Sequence, residues 1–169
     1  MVPSNQHRAF TMYTDASGDF EAFIAPGCRA WAAHQWTAAE LVHFTTVKAI
    51  SMPAMEAAAI YAALVWAIRR RVGDILIRTD SEVSLKAIIK GGSPSTIFNE
   101  ILRAIIILAS SHTHHVMFDY VNTHANPADI PTRLTPLLLQ DCWIQVGSNG
   151  GPCQPTTHRF RNWARSSRS

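Results

Sequence analysis

Ile75-Leu76-Ile77-Arg78-Thr79-Asp80-Ser81 is the stretch that decides the fold. Its short apolar run reads as a buried strand that ends at Asp80. Ser81 then offers a hydroxyl to cap a helix over residues 82–90, which Gly91-Gly92 stops. Upstream lies a longer helix over residues 54–71, rich in Ala, Leu and Ile. Ser51 is its candidate N-cap, Pro53 stands in its first turn, and Ile60, Leu64 and Ile68 share a face. Downstream, a helix over about residues 95–110 leads to a last strand, Val116-Met117-Phe118-Asp119-Tyr120-Val121.

The first third of the chain reads differently. Ala9-Phe10-Thr11-Met12-Tyr13-Thr14 alternates and is β-rich, ending at Asp15. Ala16-Ser17-Gly18-Asp19 is a turn, residues 20–25 form a second strand closed by Pro26-Gly27, and residues 29–36 form a third. Residues 37–50 carry two signals, helical composition over 37–41 and strand composition over 44–47. Strands and helices alternate only in the second half. The expected sheet is therefore mixed, an antiparallel meander followed by parallel strands.

Composition narrows the class. At 169 residues, 47% of them hydrophobic and 16% charged, the chain has enough apolar material for one well-buried domain. Interruptions at Glu56, Arg69-Arg70-Arg71 and Arg103 argue against a membrane span, and the first six residues lack the pattern of a signal peptide. Cys28, Cys142 and Cys153 lie far apart, which disfavours a disulfide framework and points to a reducing compartment. The net charge of +3 is unevenly spread. Residues 156–169 hold Arg159, Arg161, Arg165 and Arg168 and no acid, leaving eleven basic against twelve acidic side chains in 1–155. Gly147-Ser148-Asn149-Gly150-Gly151-Pro152 reads as a linker before this Arg-rich tail.

Four acids stand in unusual places. Asp15 and Asp80 each end an apolar strand, Glu56 lies one turn into a helix lined with Ala and Ile, and Asp129 opens a helix or turn just after the last strand. Acids at the ends of neighbouring strands, joined by one from a helix crossing that edge, can converge on one point. Crowded carboxylates repel unless cations neutralise them, and hard divalent ions suit all-oxygen ligands. Taken singly, each acid also fits an ordinary turn, cap or helix-dipole role.

The set Thr14-Asp15-Ala16-Ser17, Met55-Glu56-Ala57-Ala58, Ile77-Arg78-Thr79-Asp80-Ser81 and Asn126-Pro127-Ala128-Asp129-Ile130-Pro131-Thr132-Arg133 resembles the ribonuclease H family. The last block is similar to the N-P-A-D-x-P-S/T-R element of ribonuclease H domains fused to reverse transcriptases in hepadnaviruses and retroelements. The resemblance spans about residues 9–135. It implies an α/β domain over residues 1–140, with a five-stranded mixed sheet of order 3-2-1-4-5 flanked by helices, and a linker and tail over 141–169. It implies a metal-dependent endonuclease that cuts the RNA strand of RNA–DNA hybrids and leaves 5′-phosphate ends. Such a domain works beside the polymerase domain of a polyprotein, in the cytoplasm or a virus-like particle, neither secreted nor membrane-bound. Asp15, Glu56, Asp80 and Asp129 are then the catalytic, metal-binding acids for two Mg²⁺ ions, with Mn²⁺ as substitute. His124 is an accessory candidate, and Thr14, Ser17, Ser81 and Arg133 are candidates for nucleic-acid contact. The alternatives are a non-catalytic module of the same fold that binds hybrid or braces a polymerase, and a DNA-directed nuclease of the same superfamily. The family's basic protrusion has no counterpart here, since residues 86–103 offer only Lys86, Lys90 and Arg103. Ser111-His112-Thr113-His114-His115 reads as a solvated loop rather than a zinc site, and Trp31, Trp36 and Trp66 as core or interdomain surface.

Overall fold

The computed structural model describes residues 8–45, 50–133 and 144–145. Strands β1 (Phe10–Ala16), β2 (Phe20–Ala25) and β3 (Ala30–Gln35) form the antiparallel meander, with a single 3-10 turn at Pro26–Cys28 between the last two. Strands β4 (Ile75–Thr79) and β5 (Val116–Tyr120) join in parallel on the other side of β1. These five strands have the expected 3-2-1-4-5 order, and a two-residue strand β6 (Ile144–Gln145) adds to the outer edge of β3. No sequence signal announces β6, which lies within the stretch expected to be linker and tail. The rest of 141–169 lies outside the described residues.

Helix α1 (Ala38–Phe44) resolves the mixed signal over 37–50. Thr37 caps it, with Oγ1 accepting from the Glu40 N–H at 3.2 Å while Oε2 of Glu40 accepts from the Thr37 N–H at 2.8 Å. This reciprocal pair outweighs the strand propensity further on. Thr45 and Ile50 then form an isolated bridge, and residues 46–49 lie outside the described set.

Helix α2 (Met52–Arg69) is the centre of the molecule. It packs on β1, β2 and β4 and is flanked by α3 (Glu82–Lys90) and α4 (Thr96–Ser111) on the same side of the sheet. Its small residues Ala54, Ala57, Ala59, Ala62, Ala63 and Ala67 are buried and let it lie close to its neighbours, while Ile60, Leu64 and Trp66 fill the larger spaces. Each such large side chain contributes roughly 1.5–3 kcal/mol through burial alone. Against expectation, α2 is long and apolar enough by length and composition to cross a membrane. Glu56 does not disqualify an 18-residue window, yet most of this one is buried inside the domain, as for a core helix.

Trp31, Trp36 and Trp66 are all buried. The Trp66 ring lies 5.4 Å from Phe23 and 6.1 Å from Phe10 between ring centroids, and the Arg70 guanidinium sits 4.8 Å over its face. A short helix α5 (Asp129–Arg133) crosses to the other face of the sheet. There Ala128, just ahead of it, packs on Ile24 and Trp31.

Candidate metal centre

The site lies where β1 and β4 end. Thr14 is the register partner of Thr79, so Asp15, still within β1 and paired with Ala22, and Asp80, just past the end of β4, stand at the same level of neighbouring parallel strands. Asp80 has left the strand, and Ser81 takes up the cap of α3, its Oγ accepting from the Ser84 N–H at 3.2 Å. Ser84 Oγ in turn donates to the Pro53 carbonyl at 3.1 Å, tying the start of α3 to the first turn of α2. That turn delivers Glu56 to the same end of the sheet.

Asp15, Glu56 and Asp80 each bring a carboxylate oxygen within 4.8 Å of the other two. Asp15 is 3% exposed and Glu56 9%, while Asp80 is half-buried. Among the described residues, this is the one group of three or more His, Cys, Asp or Glu side chains close enough to share an ion. The His112–His115 segment does not form another. His112 Nε2 bonds the Gly73 carbonyl at 2.9 Å, and its ring lies against that of His114 at 5.5 Å.

Crowding shows in the electrostatics. The Asp15 carboxyl is raised from an ordinary 3.8 to about 6. Burial is the main cause, and the charges of Asp80 and Asp129 push the same way. Hydrogen bonds from the Thr132 hydroxyl and the Ala16 backbone oppose it. A divalent cation would remove this repulsion, and its preferred donors, anionic oxygens in a partly dry setting, are the ones present. The triad fits a metal ion.

Asp129 stands apart from the triad yet near enough to act on Asp15. It opens α5 and shares a small cleft with His124, Asn126 and Ile130. His124 is exposed, on a 3-10 turn (Thr123–Ala125), and its N–H donates to Asn122 Oδ1 at 2.9 Å. The suggested nucleic-acid contacts divide. Thr14 is fully buried, its hydroxyl directed at the Arg78 carbonyl at 3.5 Å, which places it inside the sheet rather than on a strand-binding surface. Ser17 serves its turn, accepting from the Phe20 N–H at 3.1 Å, and Ser81 serves the α3 cap. Arg133 closes α5, and its side chain lies outside the described residues.

Two residues of the last block matter in ways that sequence reasoning missed. Thr132 Oγ1 lies 2.5 Å from Asp15 Oδ2, and the Asn126 amide donates to the Thr14 carbonyl at 2.9 Å. Both sit in the Asn126–Arg133 motif, which was the available signal, but their partners are more than a hundred residues away. A scan against protein-family models and a search of curated proteins find no match to the chain.

Proposed function

We propose that the chain is a ribonuclease H-type endonuclease, hydrolysing the RNA strand of RNA–DNA hybrids as the nuclease domain of a reverse transcriptase. The supporting observation is the convergence of Asp15, Glu56 and Asp80 at the C-terminal ends of β1 and β4, in a sheet of order 3-2-1-4-5. Asp129 lies close enough to Asp15 to share its electrostatic field, in keeping with a fourth acid at the same centre.

In this reading Asp15, Glu56, Asp80 and Asp129 would together hold two Mg²⁺ ions, with Glu56 and Asp80 serving one and Asp129 the other. When bound, such a pair lowers the pKa of the attacking water and offsets charge on the leaving 3′ oxygen. The protein's own part is to fix the three acids of the triad before the ions arrive. β1 and β4 fix two of them through backbone register, and α2 fixes Glu56 by burial. The stem of each acid is thereby immobilised, so little reorganisation remains for the reacting complex.

The test is cleavage of matched RNA–DNA hybrid, duplex DNA and duplex RNA in Mg²⁺. Hybrid alone should be cut, at the RNA strand, giving 5′-phosphate and 3′-hydroxyl ends. Asp15→Asn and Asp80→Asn should each lower the rate by about 10³-fold or more, on the scale of removing a group central to catalysis, with circular dichroism unchanged. Wild-type cleavage by both variants would reject the reading, and preferential cutting of duplex DNA would move the chain to another branch of nucleases.

A further inference from the structure

Thr132 and Asn126 grip β1 on either side of one peptide unit. Asn126, 4% exposed, donates through Nδ2 to the carbonyl of Thr14 at 2.9 Å, and its Oδ1 accepts from the Ala128 N–H at 3.1 Å. Thr132, 5% exposed, meets the side chain of the next residue, Asp15, at 2.5 Å. The same hydroxyl lies 3.0 Å from the Asp129 carbonyl and 3.3 Å from that of Ala128. A hydroxyl has one proton to give, and the carboxylate is both the nearest and the charged acceptor. The Ser17 hydroxyl, 3.4 Å from the Thr132 carbonyl, adds a second tie at the same point.

Apolar contact of Ala128 with Ile24 and Trp31 already seats this segment on the sheet. The hydroxyl does something different. In a trio of like charges with no cation, repulsion drives each carboxylate to turn away from the others. The Thr132 hydroxyl holds the Asp15 carboxylate against that repulsion.

We propose that Thr132 is the positioning residue of the metal centre, orienting the Asp15 carboxylate toward Glu56 and Asp80, while Asn126 anchors the segment that carries it. The proposal rests on the reading of the centre as a Mg²⁺ site that cuts hybrid. It also assigns the short helix α5 a function: it carries Asp129 and locks the orientation of Asp15 from the opposite face of the sheet.

The experiment uses the full 169-residue chain. Thr132→Val keeps the shape and removes the donor. The Mg²⁺ concentration for half-maximal hybrid cleavage should rise about 10- to 100-fold, the usual effect of removing an outer partner of a metal ligand. Turnover at saturating Mg²⁺ should be largely regained, and Thr132→Ser, which restores the hydroxyl, should return the Mg²⁺ requirement toward wild type. A purely structural role would lower the melting temperature without this selective change. Independently of any variant, Mg²⁺ titrated into the wild-type chain without nucleic acid should shift the Thr132 methyl signal, with one midpoint for it and for the Ala16 amide. A Thr132→Val enzyme with an unchanged Mg²⁺ requirement overturns the proposal, as does a Thr132 methyl that stays still while Ala16 moves. If the wild-type chain neither binds Mg²⁺ nor cuts hybrid, the functional reading itself has failed.

Discussion

Asp15 concentrates the physics of this protein in one side chain. Burial, helped by Asp80 and Asp129 and resisted by Thr132, raises its pKa to about 6, so the folded state holds the proton more tightly than the unfolded chain does. The sign follows: the contribution of Asp15 to the stability of the metal-free fold is fully present below about pH 4 and is lost as pH rises from about 4 to about 6. A shift of this size corresponds to roughly 3 kcal/mol at neutral pH. Asp15→Asn should therefore raise the stability of the metal-free protein at pH 7.5 by up to about 3 kcal/mol and change it little at pH 4. Urea unfolding in chelator at pH 4, 6 and 7.5 checks this, and a variant less stable than wild type at pH 7.5 contradicts it. Saturating Mg²⁺ should stabilise the wild type, and not Asp15→Asn, by an amount that grows with the ratio of ion concentration to dissociation constant. Thermal melts with and without 10 mM Mg²⁺ read that difference. Asp15 and Asp80 are legible in the sequence because acids at the ends of apolar runs violate the local pattern, and Glu56 because it interrupts the apolar start of a helix. Thr132 and Asn126 are not, since a threonine and an asparagine beside a helix start look like ordinary cap chemistry until their distant partners are seen.

At the scale of elements, legibility follows the strength of the punctuation. Helix α3 is legible residue for residue because Ser81 opens it and Gly91 closes it. Gly91 adopts φ +86°, and its N–H bonds the carbonyls of Ala87 and Ile88, a left-handed helix end. Nothing lies within 4 Å of a Cβ built there, so Gly91→Ala tests backbone conformation alone. It should destabilise the domain by about 1 kcal/mol with kcat unchanged, as read by thermal melts. Undiminished stability would show that the turn relaxes freely. Strand β2 is equally plain between a turn and Pro26. The ambiguity at 37–50 has a specific cause. Thr37-Ala38-Ala39-Glu40 is a capping-box pattern, but the β-branched run Thr45-Thr46-Val47 beyond it carries the opposite propensity. The His34 imidazole, 2.8 Å from Glu40 Oε2, further fixes the box through tertiary contact that no local window contains. The short β6 is illegible for a related reason: two residues pairing with Ala30 and Trp31 have no periodicity to detect.

At the scale of the whole molecule, charge and shape separate. The sheet and its helices gather the acidic triad, yet 1–155 carry one more acid than base, and the connection from α3 to α4 is only residues 91–95. Lys86, one of the few cations nearby, already lies 3.9 Å from Glu82. A polyanionic hybrid therefore gains little from this body by charge alone, and the chain's excess positive charge resides in the four arginines of 156–169. Phosphate neutralisation releases counterions, so each phosphate engaged adds about 0.9 to the slope of log affinity against log salt. Replacing Arg159, Arg161, Arg165 and Arg168 by Gln should raise the KM for hybrid and flatten its dependence on NaCl between 50 and 200 mM. The slope should fall by about 1 for each phosphate that the tail no longer neutralises. The kcat at saturating hybrid and Mg²⁺ should stay at the wild-type value, because the chemistry is assigned to the four acids. A drop in kcat with KM unchanged would give the arginines a part in the chemistry. An unaltered KM and salt slope would instead move hybrid binding onto residues 1–155, despite their net negative charge.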